Sequence, residues 1–220
     1  MTQTNLINIS NLTWGYDNSP SLTFHHFDFY LNKGEFVVLS GKSGSGKSSL
    51  IKILLGQELV PGKSVYHRGE DISKYTYDDM QQYRRQIGVV FQDYKLLEWL
   101  TAKENVLYPL HIAQLDAETI QLKYDYIVNL FKLYKYIDDP VKFLSGGYKQ
   151  KIAIARALIN NPEFVMADEP TGNLDWEDTK HIADTFLNLH NNGVTILLVT
   201  HDVHLIEYMK LKGNIRVVTL

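Results

Sequence analysis

The run FVVLSGKSGSGKSSLIKILLG, residues 36–56, leaves a chain few ways to fold. FVVLS is short, apolar and valine-rich, the pattern of a strand buried on both faces. SLIKILLG places apolar residues at helical spacing. Between them, Gly41 to Ser48 fits G-x-x-x-x-G-K-[ST], a loop whose glycines let the backbone wrap around phosphate oxygens. A strand before the loop and a helix after it are the context this chemistry requires. Gly41, Ser43, Gly44, Ser45, Gly46, Lys47, Ser48 and Ser49 are the candidate phosphate cradle. The N–H groups of residues 44–48 are expected to point inward. Lys47 is expected to reach the β- and γ-phosphates and the Ser48 hydroxyl to ligate Mg²⁺.

The same alternation of short apolar runs and helical patterns continues along the chain. IGVVF (87–91), FVMAD (164–168) and TILLVT (195–200) read as further buried strands. This predicts an α/β fold with a mostly parallel, helix-covered sheet. The first third differs: LTFHHFDFYL (22–31) and SVYHRG (64–69) alternate, with Pro61-Gly62 as a turn, and predict a small antiparallel lobe. From Asp93 to Asn160 the pattern is almost wholly helical. We read 1–220 as one domain, with 1–92 and 161–220 forming the nucleotide-binding core and β lobe and 93–160 a helical subdomain.

FVMADEP (164–170) ends a strand in two carboxylates. Asp168 suits the outer shell of Mg²⁺, and Glu169 is placed to orient or deprotonate an attacking water. Taken alone, the pair also fits a solvated acidic turn. A second anion site lies at FLSGGYKQ (143–150), where Ser145, Gly146 and Gly147 open a helix with bare N–H groups at the positive end of its dipole. Ile152, Ala155, Leu158 and Ile159 form that helix's apolar stripe.

Composition bounds the remaining readings. The 220 residues are 45% hydrophobic and 21% charged, enough for a core and unlike a disordered chain. A net charge of −3 argues against a protein that coats nucleic acid. The absence of cysteine excludes disulfides and thiol catalysis. MTQTNLINIS has no basic region ahead of an apolar one, as a signal peptide would, and no apolar run approaches the ~18 residues of a membrane span.

Phosphate loop, LSGG helix and acidic strand, in that order, resemble the ATP-binding subunits of ABC transporters. Gln92 in VVFQD, GNLD at 172–175 and His201 in VTHD add to the likeness, which covers nearly the whole chain. The resemblance implies a P-loop ATPase of ABC type that binds ATP and Mg²⁺ between two copies arranged head to tail. It implies that Ser145, Gly146 and Gly147 contact the γ-phosphate held by the partner's loop. It assigns Gln92 to Mg²⁺ and the attacking water, His201 to the γ-phosphate, and Asp175 to the dimer interface, where Asp175 also fits as a helix N-cap. Tyr16 in LTWGYDN is the aromatic expected to stack on adenine, with Trp14 as the alternative. Tyr148 departs from the family, which usually has Gln or Glu there. That departure bears on the fit to the nucleotide's ribose and the opposing loop.

Within the family, RRQIGVVFQDYKLL (84–97) and ADEPTGNLD resemble the cluster of FtsE, LolD and MacB ATPases, with the closer likeness on the FtsE side. That implies a cell-division role and an integral membrane partner of FtsX type, with the chain peripheral on the cytoplasmic face of the membrane. Leu96, Leu97, Trp99 and Leu100 are the candidate docking patch, with core packing as the other reading. A lipoprotein- or drug-transport ATPase shares every catalytic motif and stays open as the alternative. A soluble ABC ATPase ranks below both, and no nucleic-acid partner is expected.

Overall fold

A computed structural model describes residues 5–17, 21–172 and 174–220. Met1–Thr4, Asn18 and Asn173, which belong to stretches singled out above, lie outside the described residues. Two sheets organise the chain. The larger is parallel, with strands β3 (Phe36–Ser40), β6 (Ile87–Val90), β7 (Phe164–Asp168), β8 (Thr195–Thr200) and β9 (Arg216–Thr219) in the order β6-β7-β8-β3-β9. The smaller is antiparallel, built from β1 (Ile7–Trp14), β2 (Phe24–Leu31), β4 (Val65–His67) and β5 (Glu70–Asp71) in the order β2-β1-β4-β5. Helices α1 (Lys47–Leu54), α2 (Tyr77–Arg85), α3 (Ala102–Ile112), α4 (Ala117–Phe131), α5 (Gly146–Leu158), α6 (Trp176–Asn191) and α7 (Val203–Lys212) cover the parallel sheet or extend from it.

β3, β7 and β8 are apolar between their ends because both faces of the parallel sheet are covered there. Side chains alternate across a strand, so FVVLS divides between two cores. Phe36 and Val38 join Val165, Ala167, Ile196 and Leu198 against α3, α5, α6 and α7. Val37 and Leu39 join Phe164, Met166, Leu197 and Val199 against α1 and the antiparallel sheet. The apolar stripe expected on α5 is buried: Ile152, Ala155, Leu158 and Ile159 all lie in the first core.

The stretch 93–160 is less helical than its composition suggests. Residues 93–101 and 132–145 form turns and one short 3₁₀ segment, and three helices lie around them. Local chemistry sets these ends. Thr101 opens α3 with a reciprocal capping box to Glu104. Asp116 caps α4, which stops where Lys132 turns left-handed at φ 54°. Among the described residues no helix is long and apolar enough to cross a membrane.

Candidate nucleotide site

Three strand ends meet along one edge of the parallel sheet. Register pairs Ser40 with Thr200 and Asp168 with Val199, so β3, β8 and β7 deliver their C-terminal residues side by side. In open parallel sheets this edge is where ligands bind.

After β3 the chain enters the loop 41–46. Gly44 and Gly46 take φ of 82° and 100°, backbone that L side chains rarely adopt. Gly46 caps α1 without any side-chain hydrogen bond, so the first N–H groups of α1 are left for an anion. Lys47 is buried, and its Nζ donates to the carbonyl oxygens of Gly41 and Lys42 at 2.8 and 2.9 Å. The ammonium is therefore folded over the loop's own carbonyls. The Ser45 hydroxyl is buried with no hydrogen-bond partner among the described residues.

Asp168, at the end of β7, accepts a hydrogen bond from the Ser48 side chain. Burial pushes its carboxyl above the ordinary aspartate range, and Glu169 adds to the push; the Ser48 bond and the Lys47 charge oppose it. Its Oδ1 is buried without a partner. A hydroxyl and a carboxylate with an unused oxygen, side by side, form a donor set that suits a hard cation such as Mg²⁺.

Glu169 follows in a left-handed conformation, φ 45°, rare for a residue with a side chain. Its N–H donates to the Val199 carbonyl at 2.9 Å, which fixes the turn to β8. The carboxylate is gripped at both oxygens: Thr200 Oγ1 donates to Oε2 at 2.9 Å, and His201 Nδ1 lies 2.6 Å from Oε1. Gln92, beyond β6, brings its amide over the same turn. A Cβ placed on Gly172 would come within 3.2 Å of Gln92 Nε2.

Tyr16 stands beside α1. Its hydroxyl is 3.1 Å from Ser49 Oγ, and its ring meets Trp14 edge-on at 4.7 Å. Tyr16 is 40% exposed, whereas Trp14 is buried and donates its indole N–H to the Leu59 carbonyl. Only Tyr16 of the two offers a face to a ligand.

The stretch expected to form a second anion site belongs to a different layer. Ser145 caps α5, its Oγ accepting from the Tyr148 N–H at a long 3.4 Å, and Gly146 and Gly147 follow. The body of α5 packs in the core opposite the one that holds α1. Gly147 abuts α6: a Cβ there would fall 2.8 Å from Asp178 Oδ2. Asp175 caps α6 by accepting from the Asp178 N–H at 2.9 Å. The N-termini of α5 and α6 thus share one surface.

Tyr148 is turned away from the nucleotide edge. Its hydroxyl donates to the Leu133 carbonyl at 2.7 Å, accepts from the Tyr136 N–H at 3.4 Å, and its ring packs edge-on against Tyr136. It braces α5 against the connection after α4. In the segment after Gln92, Leu96, Leu97 and Leu100 are half-buried and Trp99 is 77% exposed. An apolar groove of about 390 Å³ runs beside it, lined by Phe91, Leu97, Tyr108 and Ile112.

Sequence reasoning passed over Thr200 and Asp178. Thr200 stands next to His201 at a strand end, which is the signal that marks it. Asp178 carries none, because its place against Gly147 depends on how α6 meets α5.

Known proteins resemble this chain over most of its length. A family description, "ABC transporter", matches residues 24–172. The chain is 37% identical over 205 residues to the cell division ATP-binding protein FtsE of Haemophilus influenzae, covering 92% of this chain and 93% of that one. It is 40% identical over 180 residues to an uncharacterized ABC transporter ATP-binding protein of Thermotoga maritima, covering 81% and 77%. Its fold superposes with a TM-score of 0.84 on a dimeric ATP-binding cassette in a post-hydrolysis state bound to ADP and Pi, at 30% identity over 97% of this chain and 94% of that one. With phosphate loop, acidic strand end and LSGG helix on this fold, the chain belongs to the ABC transporter family as an FtsE-like ATP-binding subunit, an ATPase.

Proposed function

We propose that two copies of this chain close head to tail on ATP and hydrolyse it, driving an integral membrane partner of FtsX type in cell division. The observation that carries the reading is Glu169, clamped at both carboxylate oxygens beside the Asp168–Ser48 pair.

The loop 41–46 and the first turn of α1 hold the phosphates through backbone N–H groups, with Ser43 and Ser45 at the rim. Lys47 leaves the Gly41 and Lys42 carbonyls for the β- and γ-phosphates. Tyr16 stacks on adenine. Ser48, Asp168 and Gln92 hold Mg²⁺, which when bound neutralises charge on the phosphates. Glu169 orients the water and accepts its proton as the water oxygen bonds to the γ-phosphorus and the bond to ADP breaks. Thr200 and His201 keep that carboxylate aimed, and His201 also donates to the γ-phosphate. Ser145, Gly146 and Gly147 of the second copy close the site from the far side, and Asp175 lines the contact.

The opposite-layer placement of α1 and α5 supports a site shared between copies, since the two anion sites sit on different faces of one sheet. The dimeric state of the superposed cassette points the same way. Exposed Trp99 and the groove lined by Leu97 offer the membrane partner a surface. The Thermotoga relative, an ABC transporter ATP-binding protein, favours transport as the second reading of the partner's role.

The test is Glu169→Gln. The variant should bind ATP, lose turnover by a factor on the order of 10²–10⁴, and accumulate as an ATP-bound dimer in size exclusion. A variant that stays monomeric with saturating ATP and Mg²⁺, both alone and with its membrane partner, refutes the head-to-tail reading. Capture of the partner from detergent-solubilised membranes with the same variant separates the two roles. A permease that handles lipoproteins or drugs would move the chain to transport.

A further inference from the structure

A cavity of about 350 Å³ lies where the antiparallel sheet meets α2, with His67, Glu70, Tyr75, Asp79, Tyr83 and Gln86 on its walls. That volume is at the small end of the range for sites that take a whole small molecule. The cavity sits at the opposite end of the parallel sheet from the nucleotide edge. The Gln86 carbonyl accepts from the Glu163 N–H at 2.6 Å, and Glu163, just ahead of β7, is about 16 Å along the strand from Asp168.

The basic groups here are already matched. Arg68 donates from Nε to Glu163 Oε1 at 2.6 Å and from Nη2 to the same oxygen, and His67 Nε2 lies 2.9 Å from Glu163 Oε2. The wall's other carboxylates, Glu70 and Asp79, form no ion pair among the described residues. Asp79 accepts from the Thr76 hydroxyl and N–H, which hold its carboxyl below the usual aspartate range and keep it charged. Burial raises the Tyr75 hydroxyl, and Glu70 and Asp79 push it further up against the pull of Arg68. The field in the cavity is therefore negative.

Tyr83 lines the same cavity and is 3% exposed, yet its hydroxyl has no hydrogen-bond partner among the described residues. Burial pushes that hydroxyl up, with Tyr75 and Glu163 adding to it, so it stays neutral. An interior hydroxyl left unbonded calls for a partner. The Tyr75 ring meets Tyr83 edge-on at 5.9 Å, so aromatic surface adjoins the carboxylates. Such a setting attracts cations. Among the described residues no group of three His, Asp or Glu is placed to hold a metal ion, which leaves an organic cation.

We propose that this cavity binds a small primary alkylammonium, such as a diamine. An ammonium N–H donates to Tyr83 Oη, and the Glu70 and Asp79 carboxylates balance the charge.

The experiment is calorimetric titration of the nucleotide-free full chain with butane-1,4-diamine at fixed ionic strength. Binding should saturate at one equivalent. Glu70→Gln should weaken it about tenfold, the loss of a charged partner, and Tyr83→Phe about fivefold, the loss of a neutral one. Tyr83→Phe should melt no lower than the wild type, because it deletes a buried hydroxyl that had no partner. Tetramethylammonium, which carries the charge without an N–H, should bind at least about tenfold more weakly. MgATP should not displace the diamine, since Asp168 and Glu169 stand at the other end of β7. Absence of saturable heat overturns the proposal, as does equal binding by both variants. Tetramethylammonium matching the diamine would reduce the effect to counterion screening, and displacement by MgATP would move the diamine to Asp168; either result overturns it too.

Discussion

Asp168→Asn should make the nucleotide-free protein more stable while disabling it. Asp168 has an Oδ1 buried without a partner, and its pKa is raised, mainly by burial. A charged buried atom costs more to desolvate than a neutral one, by about 1–3 kcal/mol. The residue is only half-buried, so solvent screening cuts the usable figure to about 1 kcal/mol. Asparagine keeps an acceptor for Ser48 and removes the charge. In a chain of this size about 1 kcal/mol raises Tm by about 2–4 °C. The pH arm follows from the direction of the shift. An aspartate with a raised folded pKa binds protons more readily folded than unfolded, so its contribution is most favourable below the unfolded pKa of about 3.9 and declines as pH rises through the folded value. The variant's advantage should grow as pH rises through the folded pKa and shrink to nothing as pH falls. With saturating ATP and Mg²⁺ the order should invert, because ligand at 100 times Kd stabilises the wild type by about 2.7 kcal/mol and the variant has lost a metal ligand. Thermal melts at several pH values, with and without nucleotide, read all three arms. A variant less stable than wild type without nucleotide at pH 7, or a gap indifferent to pH, refutes the reasoning.

Thr200→Val should lower kcat about tenfold by leaving Glu169 Oε2 without its donor; ATP affinity measured by fluorescence titration should hold. Ser145→Arg should abolish the dimer trapped by Glu169→Gln while leaving binding to the chain's own loop nearly intact, and equal loss of both in size exclusion and titration would remove Ser145 from the partner's site. Tyr148→Phe should cost about 1 kcal/mol of stability, for the bond to the Leu133 carbonyl, with ATP binding unchanged. Denaturant melts check the first number, and a fall in ATP affinity larger than twofold would place Tyr148 at the nucleotide after all.

What was legible in the sequence was whatever needed a particular residue type in a fixed local context. Gly44 and Gly46 announce their left-handed backbone because few other residues tolerate it. FVVLS and FVMAD announce their burial on both faces by carrying no polar residue until the strand ends. Contacts made through backbone acceptors left no such trace. Arg156 reads as one more basic residue on a helix, and its partners are carbonyls that any residue at 94 and 95 would supply. Tyr148 could be identified as a departure from its family, but the direction of its ring depends on where Leu133 and Tyr136 lie. Trp14 and Tyr16 were both eligible for adenine until burial and the Leu59 bond removed Trp14. The breaks in the 93–160 stretch were hard to see because Lys132, not glycine, takes the left-handed cap of α4.

The chemistry at the strand ends depends on register as much as on residue type. β8 pairs with β3 on one side and β7 on the other, and its six residues are all buried. Leu197 and Val199 face one core, Ile196 and Leu198 the other. A slip of one residue would exchange these sets and carry Thr200 to the opposite face from the Glu169 carboxylate. Both faces of β8 are apolar, so its own side chains discriminate weakly between the two registers. Polar anchors at the strand's start and finish discriminate strongly. Thr195 Oγ1 accepts from the Gly34 N–H at 2.8 Å at one end, and Thr200 Oγ1 donates to Glu169 at the other. Losing Thr195 should therefore impair turnover from the far edge of the sheet. Thr195→Val keeps size and burial but removes the anchor, and a fall in kcat at unchanged ATP affinity would tie register to catalysis. A melt shifted by about 1 kcal/mol with kcat untouched would show that β7 and β3 hold β8 in place without it.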